Sequence, residues 1–249
     1  MTEQQRVALV TGGTGGIGTA ICRRLAREGR KVVASCLPGE CANLKSWQQE
    51  RQDEGLEIGL VAGDVSSAAA CSTMIDEVEE KYGPVEILVN CAGITRDASF
   101  KRMEIDHWES VINTNLNSVY YVTRPVWEGM LERGFGRIVN ISSVNGQRGQ
   151  FGQVNYSAAK AGMHGFTMAL AHEGAAKGIT VNTVSPGYVE TAMTMAMRDD
   201  VREAIIAGIP MRRMCTPEEI ASTVAFLASD ETTYITGANI PVNGGLFIK

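Results

Sequence analysis

The sequence predicts an α/β fold, a single doubly wound parallel sheet of about seven strands with helices on both faces, and three observations carry that expectation. Short β-branched or aliphatic runs alternate with longer segments of helical period, the pattern that builds a parallel sheet covered on both sides. No repeat, low-complexity tract or Ser/Pro linker interrupts the alternation, so residues 1–249 read as one domain. A glycine-rich turn, Thr11-Gly-Gly-Thr-Gly-Gly-Ile-Gly18, joins the first run directly to the first helical segment.

The elements follow in order. Val7–Thr11 is the first strand, continuously apolar up to its last residue as a strand buried on both faces must be. Beyond the turn, Ile17, Ala20, Ile21 and Leu25 fall at i, i+3, i+4 and i+8, one face of a helix, and Gly29 stands after the last turn as a C-cap. The other strands are Lys31–Ser35, Glu57–Val61, Val85–Asn90, Arg137–Ile141, Thr180–Ser185 and Asn239–Val242. Thr191 to Met214 is long for a connection and carries Met193, Met195, Met197, Met211 and Met214. It reads either as a lid over a site or as a pair of surface helices with Met as gap filler. Thr216-Pro-Glu-Glu219 then sets a capping Thr, a first-turn Pro and a third-position Glu ahead of Ile220, Val224 and Leu227, which starts a helix.

Composition excludes several classes. With 44% hydrophobic and 20% charged residues the chain buries a core, and neither disorder nor membrane spanning describes it. Twenty-eight acids against 23 bases, a net charge of -5, leave no overall basic field for nucleic acid or an anionic membrane. The start, MTEQQRVALVTGG, has no basic stretch before an apolar core, and the expectation is a cytoplasmic protein. Six scattered cysteines form no C-x-x-C and three histidines no H-x-x-H, so no metal is expected and the thiols are expected to be reduced.

The chemistry gathers at the carboxyl ends of the strands. Glycines 12, 16 and 18 let the backbone turn tightly, bring a pyrophosphate close to the main chain and set the following helix's N–H groups towards the anion, the mark of a dinucleotide site. No Gly-Lys-Ser/Thr ends the turn, which excludes a P-loop. Tyr156 and Lys160 are four apart, so they share a helix face, where an ammonium would lower the phenol's pKa for acid/base work. Ser143 lies just past the Arg137–Ile141 strand, where a short loop could bring its hydroxyl beside the phenol, and Asn115 lies on the helix after the fourth strand. Asp64-Val65, Asn90-Cys-Ala-Gly93, Ser142-Ser143 and Pro186-Gly187 each follow a strand, and in an open α/β sheet these ends form the ligand crevice.

In this order, T-G-x-x-x-G-x-G, Ser, Y-x-x-x-K and P-G resemble the short-chain dehydrogenase/reductase family over the whole chain. The resemblance implies a Rossmann-type fold, NAD(P)H as cofactor, no metal, and a catalytic tetrad of Asn115, Ser143, Tyr156 and Lys160. It also implies a cofactor site of Gly12, Gly16, Ile17, Gly18, Asn90, Ala92, Gly93, Pro186, Gly187, Val189 and Thr191, joined by Tyr156 and Lys160, with Asp64 and Val65 near the adenine, and it implies a homotetramer. One departure is Cys91, where the family commonly has a second Asn.

The stretch Asn140 to Tyr156, with Asn90 to Asp97, is similar more narrowly to the acetoacetyl-CoA reductases of polyhydroxyalkanoate synthesis, which implies an acyl-CoA substrate and an R product. Gln150, Phe151 and Gln153 offer amides and an apolar plate beside Tyr156, suited to a short acyl thioester, and Tyr188 could close the same pocket. The alternative is a 3-oxoacyl-carrier-protein reductase; members of that group carry a basic docking pair, whose positions here hold Gly134 and Lys177, with Arg133 adjacent. A non-catalytic cofactor sensor on the same fold would require a broken tetrad, and all four residues are present. For the cofactor's ribose, the glycine turn and the segment from Ala34 to Leu44 contain no base, while Glu40 would repel a 2′-phosphate, which favours NADH.

Overall fold

Seven strands, β1 (Val7–Thr11), β2 (Lys31–Cys36), β3 (Ile58–Ala62), β4 (Val85–Asn90), β5 (Gly136–Ile141), β6 (Ile179–Pro186) and β7 (Asn239–Val242), form one parallel sheet. Their spatial order is β3-β2-β1-β4-β5-β6-β7 in the computed structural model, which describes residues 5–41 and 44–248. The chain builds outward from β1 to β3 and then returns to place β4 on β1's other side. That reversal opens a crevice outside the carboxyl ends of β1 and β4, where such sheets bind ligands.

The helices are α1 (Gly16–Arg27), α2 (Pro38–Cys41), α3 (Lys45–Asp53), α4 (Ala68–Tyr82), α5 (Ile105–Ile112), α6 (Ser118–Arg133), α7 (Asn145–Arg148), α8 (Val154–Gly174), α9 (Ala192–Met195), α10 (Asp199–Gly208) and α11 (Pro217–Ala228). Side chains alternate across β1: Ala8 and Val10 face one layer, with Ile21 and Leu25 of α1 and Ile220 and Val224 of α11. Val7 and Leu9 face the other, with Met74 and Ile75 of α4 and Val122 and Met130 of α6. Each such side chain, removed from water, contributes ~1.5–3 kcal/mol, so both layers are held by burial.

The predicted strands are all present, with β2, β3, β5 and β6 displaced or extended by one residue at an end or two. α11 starts as expected: Thr216 Oγ1 accepts from Glu219 N–H at 3.3 Å and Glu219 Oε2 accepts from Thr216 N–H at 2.9 Å, a closed capping box. Between Thr191 and Met214 lie α9 and α10; Met193, Met195 and Met211 are exposed while Met214 is buried. Cys36 is disulfide-bonded, which corrects the expectation of reduced thiols throughout; Cys22, Cys71, Cys91 and Cys215 are free.

A buried polar chain crosses the middle of the sheet. Asn90 Nδ2 on β4 donates to Thr123 Oγ1 of α6 at 3.3 Å and to Asn140 Oδ1 of β5 at 2.8 Å. Asn140 Nδ2 donates to Thr167 Oγ1 of α8 at 2.9 Å, and that hydroxyl meets Thr183 Oγ1 of β6 at 2.7 Å. Buried polar groups are tolerated only when paired, and here each is paired with the next. The chain therefore fixes α8, which carries Tyr156 and Lys160, against β5 and β6.

Candidate active site

The glycine turn is shaped for close approach. Gly12 has φ +61°, and a Cβ there would lie 2.9 Å from Ala92 Cα; at Gly13 it would lie 2.6 Å from Ala34 Cβ, and at Gly18 2.2 Å from Gly12 O. Only glycine allows this turn to lie so tightly on its neighbours and α1 to begin so near β1. The first turn of α1 has no acidic residue and no side-chain cap, so its N–H groups remain available to an anion. Thr11 Oγ1 accepts from Cys91 N–H at 3.0 Å and from Ala92 N–H at 3.2 Å, tying the ends of β1 and β4 together. The residues present thus fit a dinucleotide's diphosphate.

Thr191 closes this region from the far side: its Cγ2 lies 3.1 Å from the position a Gly16 Cβ would take. Val189 is buried and bridges to Cys215, Gly187 packs so closely on Asn243 that a Cβ would sit 2.9 Å from its Cα, and Pro186 O accepts from Val144 N–H at 2.7 Å. Ile17 is half-buried against the core layer beside α1. At the end of β3, Asp64 Oδ1 accepts from Ser66 N–H at 2.9 Å and from its hydroxyl at 2.7 Å, and Val65 is buried. The Asn90 amide is engaged inside the sheet, as described above. Glu40 is exposed on α2 just after β2, and Ser35 through Cys41 carries no base; Ala42 and Asn43 lie outside the described residues.

The four expected catalytic residues converge. Asn115 sits fully buried in a π turn, Asn113–Asn117, between α5 and α6, and its amide pairs both ways with Ile94: Oδ1 accepts from N–H and Nδ2 donates to O, each at 2.8 Å. Gly93 lies directly over this group, where a Cβ would be 2.9 Å from Asn115 Oδ1 and 3.5 Å from Lys160 Nζ. Ser143 Oγ accepts from Asn145 N–H at 3.1 Å, and Ser143 stands near enough to Tyr156 to lower its pKa. Lys160 is buried, donating to Ile141 O at 2.8 Å, with Nζ 5.7 Å from the centroid of the Tyr156 ring.

The electrostatics differ from the expected pattern. Burial pushes the Tyr156 phenol above its ordinary value; the Ser143 hydrogen bond lowers it, and the charges of Asp97 and Cys91 add to the rise. Lys160 is not among the groups that lower it; its ammonium, itself depressed to about 8 by burial, is directed at the Ile141 carbonyl. Cys91, in the position where the resemblance leads one to expect Asn, is pushed up to about 11 by burial, with Lys160 pulling it down. Its thiol is neutral at physiological pH.

The expected substrate residues divide. Gln153 is fully engaged: Oε1 accepts from Asn145 Nδ2 at 2.9 Å and Nε2 donates to Asp97 Oδ2 at 2.8 Å. Gln150 is exposed, with Oε1 accepting from Arg148 Nη2 at 3.3 Å, and Phe151 is 88% exposed. Tyr188 lines a cavity of about 350 Å³ with Met211, Met214 and Cys215, at the end of the Met-rich segment. Sequence reasoning missed Asp97, Asn145 and Asn155; the last adjoins Tyr156, and that adjacency was the available signal.

A neutral phenol, a serine hydroxyl and a buried amine beside a glycine cradle can deliver a proton to an oxygen on a substrate held against a dinucleotide. Residues 12–247 match a family model described as enoyl-(acyl carrier protein) reductase. The chain is 69% identical to an acetoacetyl-CoA reductase of Allochromatium vinosum, over 98% of this chain and 99% of that one. It is 54% identical to an acetoacetyl-CoA reductase of Cupriavidus necator, over 97% and 98% respectively. Against a 3-oxoacyl-acyl-carrier-protein reductase of Salmonella typhimurium the identity is 44%, over 100% of both chains.

Proposed function

The chain belongs to the short-chain dehydrogenase/reductase family, and from that premise we propose that it reduces the ketone of acetoacetyl-CoA to (R)-3-hydroxybutyryl-CoA. The observation that carries this reading is the convergence of Ser143, Tyr156 and the buried Lys160, whose Nζ lies 5.7 Å from the Tyr156 ring, beside the glycine cradle. The nicotinamide, when bound, supplies the hydride. Asn145 N–H donates to Ser143 Oγ and orients the hydroxyl, whose proton, directed at the phenol before substrate arrives, turns to the ketone oxygen as charge develops there. Tyr156 gives its proton to that oxygen, and a raised pKa keeps the phenol protonated for the task. Lys160 holds the nicotinamide ribose and passes on the proton that refills the phenol. Asn115, with its amide engaged on Ile94, fixes the segment over Lys160.

The carrier-protein alternative is disfavoured at its docking pair. Gly134 and Lys177 are neighbours in space, and Arg133 beside them spends Nη2 on Val85 O at 3.0 Å, which tilts the choice away from a carrier protein. The wider reading is a cytoplasmic homotetramer in which residues 191–214 form a lid; Ile105, Trp108, Tyr120, Phe226 and Tyr234 are large apolar side chains left exposed and available for assembly. The deciding assay follows nicotinamide absorbance with purified protein and acetoacetyl-CoA; failure to turn it over, with turnover of the carrier-protein thioester, reverses the choice.

The same assay reads the cofactor. NADH is expected to work at least as well as NADPH, and Glu40→Arg to shift preference towards NADPH, because an exposed carboxylate just after β2, with no base from Ser35 to Cys41, would repel a 2′-phosphate. A tenfold advantage of NADPH in the wild type, about 1.4 kcal/mol, overturns this. On the substrate side, Gln153→Ala and Gln150→Ala should lower acetoacetyl-CoA turnover while cofactor affinity, read by fluorescence titration, stays unchanged. Gln153→Ala has the larger effect because it also breaks the link from Asp97 to Asn145. Equal loss of both quantities makes the loop structural only.

A further inference from the structure

We propose that Asn155 is the positioning residue of Tyr156, clamping the start of α8 to the loop after β4 so that the phenol stays in reach of Ser143. Asn155 is completely buried and is the second residue of α8. Its Nδ2 donates to Arg96 O and to His107 O, both at 3.0 Å, and its Oδ1 accepts from Tyr156 N–H at 2.8 Å. The last is one of the donors that a helix start leaves without an intrahelical partner. One amide thus joins three elements: the loop after β4, α5, and the turn that carries the phenol.

Two further bonds run parallel to it. Ala98 N–H donates to Gly152 O at 2.9 Å, and Gln153 Nε2 reaches Asp97 at 2.8 Å. The outer link is exposed and exchanges with water, whereas Asn155 is closed off from solvent, so its bonds cannot be replaced by hydration when they break. The loop it holds is the one fixed at its other end by Asn115 on Ile94. Asn155 therefore completes a frame in which the Tyr156 side of the site is set by main-chain carbonyls rather than by α8 alone. A shift of the phenol by about 1 Å is enough to lower the chemical step a hundredfold.

The inference rests on the reductase reading for its activity arm only. Asn155→Ala and Asn155→Ser are compared with wild type for kcat, KM, cofactor affinity and ionisation of Tyr156. The ionisation is the part of the 295 nm absorbance titration that Tyr156→Phe removes. The groups facing the phenol are Ser143, Asp97, Cys91 and Lys160, and none is altered by these variants. The expected result is a loss of at least about tenfold in kcat with cofactor affinity within about twofold, together with a Tyr156 titration displaced towards its ordinary value as the loosened turn admits water. Serine, smaller than Asn but able to accept from Tyr156 N–H, should recover part of both effects, and it carries the test should the alanine variant fail to fold. A Tyr156 titration unmoved in a folded variant overturns the assignment whatever the activity, as does unchanged kcat with acetoacetyl-CoA. Should the wild type not turn over that substrate, the reductase reading fails and the titration still decides the role of Asn155.

Discussion

Tyr156→Phe lowers kcat for acetoacetyl-CoA reduction by ~10²–10⁴ while leaving cofactor affinity nearly unchanged. The substitution keeps the ring and its packing and removes one oxygen. In the proposed mechanism the hydroxyl it removes is the proton donor, and no other group is placed to take over, since Lys160 is directed at Ile141 O and Ser143 is assigned to the developing oxyanion. The sign of the pH dependence follows from the raised pKa. The phenol must be protonated to act in reduction, so its contribution is complete below its pKa and is lost as pH rises through it, above the ordinary value near 10. A stopped-flow or steady-state comparison of the two proteins across pH reads this directly; wild-type turnover in the variant removes Tyr156 from the mechanism.

Ser143→Ala is the second large effect, expected at ~10²–10³ in kcat with little change in KM. A donor aimed at a developing oxyanion acts chiefly in the transition state, and the Ser143 hydroxyl is oriented for that by the N–H of Asn145. The substitution also removes the one hydrogen bond that draws the Tyr156 pKa down, so the titration of the phenol should move further up as kcat falls. A change confined to KM would make Ser143 a binding residue and leave the oxyanion without its assigned partner.

The strands and the site were legible in the sequence to different depths, for physical reasons. Val7–Thr11, Val85–Asn90 and Asn239–Val242 match to the residue because turn-forming glycine or a change of hydropathy marks their ends. Ile179–Pro186 was read one residue short at each end, since a strand ending on proline has no hydropathy boundary there. That Tyr156 and Lys160 share a helix face, with Ser143 at the end of the strand before it, was legible from spacing, whereas their expected catalytic roles came only with the family resemblance. Charge state was not. The fall of Lys160 to about 8 and the rise of Tyr156 come from burial, which a pair of residue types does not encode. Nor was the closure of the Gln153 amide on Asp97 and Asn145, a contact between segments 56 residues apart.

The hydrogen-bonded line from Thr123 through Asn90, Asn140 and Thr167 to Thr183 makes five positions behave as one heritable unit. Replacing any one member by an apolar residue strands its neighbour's donor or acceptor in a dry interior, at about 1–3 kcal/mol, whereas replacing two adjacent members together removes the stranded group as well. Losses at Asn90 and Asn140 are therefore less than additive when combined. A sequence path that alters this interior has to cross a less stable intermediate, and α8, anchored on Thr167, is held in place by that barrier as much as by the bonds themselves.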